Sequence, residues 1–266
     1  MSASYGGRYL FIMGCPRSGT TASWRLLTSH RAIVLGVERY ARRSERPEFL
    51  EPSLFERERF FQLMPGDAAY KDPAAVTPNL VDLMSRYDAA TYRGDKIPTL
   101  YKSLPRLLAT FGSSLRVLMI FRNIFDVADS YRRRADNPED VEWWWRTDSA
   151  VLQWNEAIEA SHAHGADPRI LLVQYEQLFQ AGRGVKALFR FLDLELTDGV
   201  VAAYRRLLKQ SATLDAGRSR ALTHDEINYI RQHADFPGYR DVLDRCRQSR
   251  SDDVTEPERV AEGSPA

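Results

Sequence analysis

An apolar run, Tyr9-Leu-Phe-Ile-Met13, leads directly into Gly14-Cys-Pro-Arg-Ser-Gly-Thr-Thr21, and a helical pattern follows over residues 20–30. No other feature of the chain constrains its fold as much. A short apolar run without polar alternation reads as a strand buried on both faces, as strands of parallel sheets are. When such a strand turns sharply into a helix, the helix N-terminus and its unpartnered N–H groups lie at the strand's C-terminal end. Glycines at 14 and 19 let the backbone approach an anion, and the helix end adds partial positive charge. Pro16, Arg17, Ser18, Gly19, Thr20 and Thr21 are therefore candidate ligands of a phosphate-like group. The competing reading of a lone Gly-x-x-x-x-Gly is a plain structural turn.

Further short apolar runs occur at 33–37, 116–121 and 170–175. Helical patterns over 78–87, 100–111, 124–134, 141–164 and 184–192 separate them. Short strands alternating with amphipathic helices predict an α/β fold, a parallel sheet flanked by helices. Beyond residue 196 the strands stop. Helices are expected over 200–209 and 223–233, giving a helical C-terminal part, and Thr223-His-Asp-Glu226 has the form of a capping box. Residues 1–247 read as one domain. Residues 248–266, rich in Ser, Asp, Glu and Pro, read as a disordered tail. Residues 39–72 mix charges with Phe49, Phe55, Phe60 and Phe61, and admit two readings: a lid over an acceptor site, or a charged surface helix with a core stripe.

Composition narrows the function. A formal net charge of +1 over 266 residues provides no basic field for nucleic acid. The two cysteines, Cys15 and Cys246, form no CxxC pair, so neither a thiolate metal site nor a disulfide framework is expected. No apolar stretch approaches the ~20 residues of a membrane span, and none resembles a secretory leader. The chain reads as cytoplasmic with reduced thiols. The tryptophans Trp143-Trp-Trp145 fall in the helical pattern 141–164, where neighbours point ~100° apart. At least one should be exposed or cover an acceptor.

The loop matches G-x-x-x-x-G-K-[ST] except that Thr20 stands where the lysine would be. A nucleoside triphosphatase uses that lysine and Mg²⁺ on its phosphates. Here Arg17, able to hold two oxygens at once, sits inside the loop. A sulfuryl group carries less charge than a phosphoryl group, so its transfer needs less counter-charge and no metal. Pro16-Arg-Ser-Gly-Thr-Thr21 resembles the 5′-phosphosulfate loop of the sulfotransferases that use 3′-phosphoadenosine 5′-phosphosulfate (PAPS), in the branch of tyrosylprotein, carbohydrate and many bacterial enzymes. Two more segments agree in order. Arg122 and Ser130 have the spacing of that family's 3′-phosphate pair, with Ile124 standing where proline is usual. Residues 170–178, ending Tyr175-Glu-Gln-Leu178, resemble its later strand segment, where Tyr175 reads as core.

The resemblance implies a P-loop-type fold, PAPS as co-substrate and no metal. It further implies a glutamate base after the second strand, here Glu38, and a lysine in an Asp-Lys-x-Pro segment, here Lys96, which with Arg17 reaches the transferred group. Arg218 and Arg220, in a late basic loop, are its candidate nucleotide ligands. The expected acceptor is a hydroxyl of a small metabolite, sugar or lipid-linked molecule. A P-loop kinase and a non-catalytic nucleotide-binding module are the alternatives. Local ion pairs also remain open for two of these residues, Glu38 with Arg42 and Arg122 with Asp126.

Overall fold

The computed structural model describes residues 7–44, 46, 49–62, 64–67, 80–140, 143–216 and 221–251. Five strands form one sheet: β1 (Arg8–Met13), β2 (Ile33–Val37), β3 (Tyr92–Lys96), β4 (Leu115–Phe121) and β5 (Ile170–Gln174). Their order is β2-β3-β1-β4-β5, and every neighbouring pair is parallel. The strand that precedes the glycine loop is therefore central.

Helices cover both faces: α1 (Thr20–Thr28), α2 (Arg57–Phe61), α3 (Leu80–Arg86), α4 (Leu104–Phe111), α5 (Ile124–Ala135), α6 (Thr147–His164), α7 (Val185–Phe191), α8 (Asp198–Ala216), α9 (His224–His233) and α10 (Phe236–Ser251). The two-residue period of β1 divides the interior into two cores. Tyr9, Phe11 and Met13 face one, with Phe55, Phe111, Tyr131 and Trp154. Leu10 and Ile12 face the other, with Trp24, Tyr175, Phe179 and Tyr204. Four of the five strands coincide with the apolar runs of the sequence. The capping box is present, with Thr223 and Glu226 each accepting the other's backbone N–H.

Three parts depart from the sequence reading. First, β3 (Tyr-Arg-Gly-Asp-Lys) is a fully buried strand between β2 and β1, although three of its five residues are charged. Its charges are held internally. Arg93 donates to the Tyr87 carbonyl at 3.0 Å and lies 4.2 Å over the Tyr87 ring, while Asp95 and Lys96 face the turn after β2. Lys96 is thus the last residue of a strand. Second, α6 begins at Thr147, so the three tryptophans lie in the connection before it. Trp143 and Trp145 pack edge to face, and Trp144 is 71% exposed. Third, α10 runs to Ser251, past the expected start of the tail at 248.

Within residues 39–67 the described chain forms short helical turns with Tyr40, Phe49, Leu50, Leu54, Phe55 and Phe60 buried. Phe55 meets Tyr9, Phe11 and Phe111 ring to ring. An internal ion cluster ties the segment down: Asp67, wholly buried, accepts from Arg43 and Arg59 at 2.7 Å each. Residues 68–72 lie outside the described residues.

The burial of Asp95 has a thermodynamic consequence. Its carboxyl is pushed from 3.8 to about 7, chiefly by desolvation, against the backbone N–H groups of Tyr40 and Arg39 and the charge of Lys96. The folded chain therefore binds this proton more tightly than the unfolded chain. Stability is fully present below about pH 4 and falls as pH rises towards 7, by about 4 kcal/mol in all. Asp95→Asn removes this dependence. Urea unfolding at pH 5 and pH 8 should show the variant gaining about 2–3 kcal/mol on the parent across that interval.

Candidate functional site

Because all strands run the same way, their C-terminal ends share one edge, where α/β sheets place ligands. Leaving that edge in space order are Glu38 after β2, Lys96 ending β3, the glycine loop after β1, Arg122 after β4 and Tyr175 after β5. They open into a cleft of about 610 Å³. One wall belongs to the core that holds Tyr131 and includes Ala41, Ile97 and Trp143; the other belongs to the core that holds Trp24 and includes Ala22, Phe179 and Leu207.

The loop ends at Gly19, the N-cap of α1, with φ 103° and ψ 14°. A Cβ here would lie 2.3 Å from the Tyr175 ring, so no larger residue lets the backbone pass. Gly19 offers no side-chain cap, and the first turn of α1 carries no acidic residue. The helix thus starts with donors that its own side chains leave unanswered, next to Thr20 and Thr21 in the cleft wall. That arrangement accepts an anion. Pro16, Arg17, Gly19, Thr20 and Thr21 all line the cleft. Ser18 does not: its side chain is fully buried beneath the loop, and its N–H donates to the Cys15 carbonyl at 3.1 Å.

A second positive point lies beside the first. Arg17 Nε donates to Ser130 Oγ at 2.9 Å, which joins the loop to α5. Crowding by protein atoms, then the like charges of Arg134 and Arg122, holds the Arg17 pKa below the ordinary arginine value. Arg122 is 6% exposed. Its guanidinium lies 4.2 Å over the Tyr175 ring, its Nε is buried with no hydrogen-bond partner among the described residues, and Asp126 stands 3.9 Å away. A buried guanidinium with so loose a counter-charge has capacity for an anion. The backbone around it is fixed from two sides: Trp154 Nε1 donates to the Arg122 carbonyl at 2.9 Å, and Asn123 N donates to Glu176 Oε1 at 2.8 Å. Asn123 also caps α5, its side chain accepting from Phe125 N at 2.9 Å. The cap performs the helix-starting role that a proline at 124 would have.

Glu38 and Lys96 form the third part. Lys96 Nζ donates to Glu38 Oε1 at 2.5 Å, and Glu38 N donates to the Lys96 carbonyl at 2.8 Å. Glu38 thus pairs with Lys96, at the cleft mouth. Its backbone is left-handed, φ 54°, as is that of Arg17, φ 71°. For residues with a Cβ this conformation costs about 1–3 kcal/mol each and is found where function requires a side chain aimed against local preference.

Arg134, Phe179, Leu207 and Ser211 line the cleft although the sequence did not single them out. Arg134, one turn beyond Ser130, pairs with Asp140 and lies 4.2 Å over the Trp143 ring. Trp143 Nε1 donates to the carbonyls of Tyr131 and Trp145 at 3.2 and 3.1 Å, so its ring is held in place. Trp143 and Trp145 line one wall; Phe179, Leu207 and Ser211 line the other. Tyr175 is buried, as core residues are, but it also lines the cleft, carries Arg122 on its ring and shares a 3.1 Å hydrogen bond with Ser211. The four-residue spacing of Ser130 and Arg134 was a readable signal; the α8 wall had none. Arg218 and Arg220 lie outside the described residues.

The chain is similar to several known proteins. Protein-tyrosine sulfotransferase 1 of Danio rerio is 25% identical over 205 residues, 72% of this chain. The chain spans 55% of that relative's length, little more than half. In backbone course the chain resembles the sulfotransferase domain of the Synechococcus PCC 7002 olefin synthase, with a TM-score of 0.50 and 15% identity over 97% of this chain and 98% of that one. The sulfotransferase domain of the curacin biosynthetic pathway gives a TM-score of 0.49 and 17% identity over 76% of this chain and 79% of that one. The profile of the sulfotransferase family matches residues 10–198, a span that begins in β1 and takes in the loop, Glu38, Lys96, Arg122, Ser130 and Tyr175. The chain belongs to the sulfotransferase family.

Proposed function

We propose that this protein transfers the sulfuryl group of PAPS to an acceptor hydroxyl by in-line displacement, with Glu38 as the base and no metal ion. One observation carries the reading: a helix start with no side-chain cap among the described residues lies beside a second anion point at Arg122, and the pair Glu38–Lys96 faces the same cleft. Two anion points suit a ligand with phosphate at two ends of a nucleoside. Among the described residues no lysine sits at the start of α1, where Thr20 and Thr21 stand.

In this reading the N–H groups of Gly19, Thr20 and Thr21 hold the 5′-phosphosulfate. Arg122 and Ser130 hold the 3′-phosphate. Phe179, Leu207 and Ser211 flank the adenine. Glu38 takes the acceptor proton as the acceptor oxygen forms its bond to sulfur. The bond from sulfur to the 5′-phosphate oxygen breaks, and Lys96 leaves Glu38 to meet the charge that develops on that oxygen. Adenosine 3′,5′-bisphosphate and the sulfated acceptor depart. Arg17 shares the charge on the transferred group.

The acceptor in this reading is a small metabolite, sugar or lipid-linked hydroxyl compound, laid against Trp143 and Trp145, rather than a nucleic acid. Indole faces suit flat or apolar ring systems. A cytoplasmic setting accords with such an acceptor.

Calorimetry tests the co-substrate. Adenosine 3′,5′-bisphosphate should bind much more tightly than ATP–Mg²⁺ or 5′-AMP, and Arg122→Ala should weaken it about 30-fold, the loss of one charge-assisted contact. ATP–Mg²⁺ binding the better of the two would overturn the reading in favour of a kinase. Glu38→Gln should lower kcat by about 10²–10⁴ with bisphosphate affinity changed less than twofold; full activity in that variant removes the base assignment. Trp145→Ala should raise the acceptor KM about tenfold and leave bisphosphate binding intact.

A further inference from the structure

Asp95 is the only acidic residue of β3. It is fully buried next to Lys96, and catalysis as outlined above makes no use of it. Its register partners on the flanking strands are Phe11 and Gly36, neither titratable. Its carboxylate faces the turn that carries Glu38: Oδ2 accepts the Tyr40 N–H at 2.8 Å, and the Arg39 N–H also contributes to holding the charge. Room for the carboxylate exists because residue 36 is glycine. A Cβ there would lie 3.0 Å from Asp95 Oδ1 and 2.9 Å from Arg39 Cβ. The chain thus leaves β2, passes Glu38 in its left-handed conformation, and is caught at the Tyr40 amide by a buried anion.

We infer that Asp95 is a positioning residue for sulfuryl transfer: its carboxylate, held beneath residues 38–40, fixes the left-handed turn that aims Glu38 at the acceptor. The inference rests on Glu38 being the base. Two contacts make the turn, and they act on different sides of Glu38. Lys96 meets the Glu38 side chain and accepts its N–H through the Lys96 carbonyl; Asp95 holds the Tyr40 amide that follows. A left-handed glutamate is strained, and a released amide lets it return to an ordinary conformation in which the carboxylate no longer faces the cleft. A carboxylate accepts two N–H donors strongly, and its protonated form keeps fewer acceptor sites and no charge. The groups facing Asp95 are Lys96, which favours its ionised form, and Glu38, which opposes it. Protonation near neutrality therefore loosens the turn, so turnover rises with pH through about 7 while the stability of the folded chain declines over the same interval.

The test compares the parent protein with Asp95→Ala, Asp95→Asn and Glu38→Gln. The assay is transfer from radiolabelled PAPS to 4-methylphenol as surrogate acceptor, a phenol that keeps its proton throughout the pH range used, with bisphosphate affinity by calorimetry. The expected results are a kcat about 30-fold lower in Asp95→Ala, bisphosphate affinity within about twofold of the parent, and recovery to within about fivefold in Asp95→Asn, whose amide oxygen still accepts one N–H. In Asp95→Asn the rise in kcat through pH 7 should flatten. NMR hydrogen exchange at the Tyr40 amide reads the same contact with no acceptor present, and should accelerate in Asp95→Ala. An unchanged kcat, or unchanged Tyr40 exchange, in Asp95→Ala overturns the inference. So does a loss of bisphosphate affinity as large as the loss of kcat, which marks general structural damage. Full activity in Glu38→Gln, by contrast, refutes the base reading itself, whatever Asp95 does.

Discussion

All five strands point the same way, and this single constraint places every other part of the site. A parallel sheet ends on one edge, so residues far apart in sequence (Glu38, Lys96, Arg122 and Tyr175) arrive beside the loop after β1 without any long loop reaching for them. The order β2-β3-β1-β4-β5 also separates the chemistry. The carboxylate and ammonium stand on one side of the central loop, and the guanidinium stacked on Tyr175 stands on the other. The two cores then supply the two walls, so the cleft is a seam between them at the sheet's edge.

Four strands were legible because they are short and apolar, and the loop was legible because its glycines and helix start have a physical purpose that few other arrangements share. β3 was not, since a strand reading Tyr-Arg-Gly-Asp-Lys has neither alternation nor an apolar run. Distant groups meet its charges: the Tyr87 carbonyl and ring for Arg93, the Tyr40 amide for one oxygen of Asp95, the Glu38 carboxylate for Lys96. Sequence patterning detects apolar burial and is blind to polar burial compensated from elsewhere in the chain. Phe179 and Ser211 reach the cleft through tertiary packing, which sequence patterning does not place either. Ser18 shows the opposite case. It sits within the recognisable loop, yet its hydroxyl points beneath it, and only the fold distinguishes it from its neighbours.

The site is held under tension that the surroundings over-determine. Arg17 and Glu38 both adopt left-handed backbone conformations. Asp95 is buried at the expense of stability above pH 4. Arg122 keeps a buried nitrogen without a hydrogen-bond partner among the described residues. Each is unfavourable alone, and each lies within the row of strand ends. The compensation comes from elsewhere: the aromatic cluster around Phe55, the Asp67 ion cluster, and the hydrogen bonds from Trp154 and to Glu176 that lock the backbone beside Arg122.

The bare start of α1 has a consequence for how the protein survives in use. A helix that lacks its own cap is completed by whatever anion docks there, and a ligand bound only by the folded chain protects it by about 2.7 kcal/mol at a hundredfold excess over its Kd. In the proposed reaction, the donor nucleotide and the spent nucleotide present the same 5′-phosphate to that helix. Protection against unfolding and proteolysis then follows the total pool of the two nucleotides. Catalytic output follows their ratio, so an enzyme stalled by its own product remains a durable one.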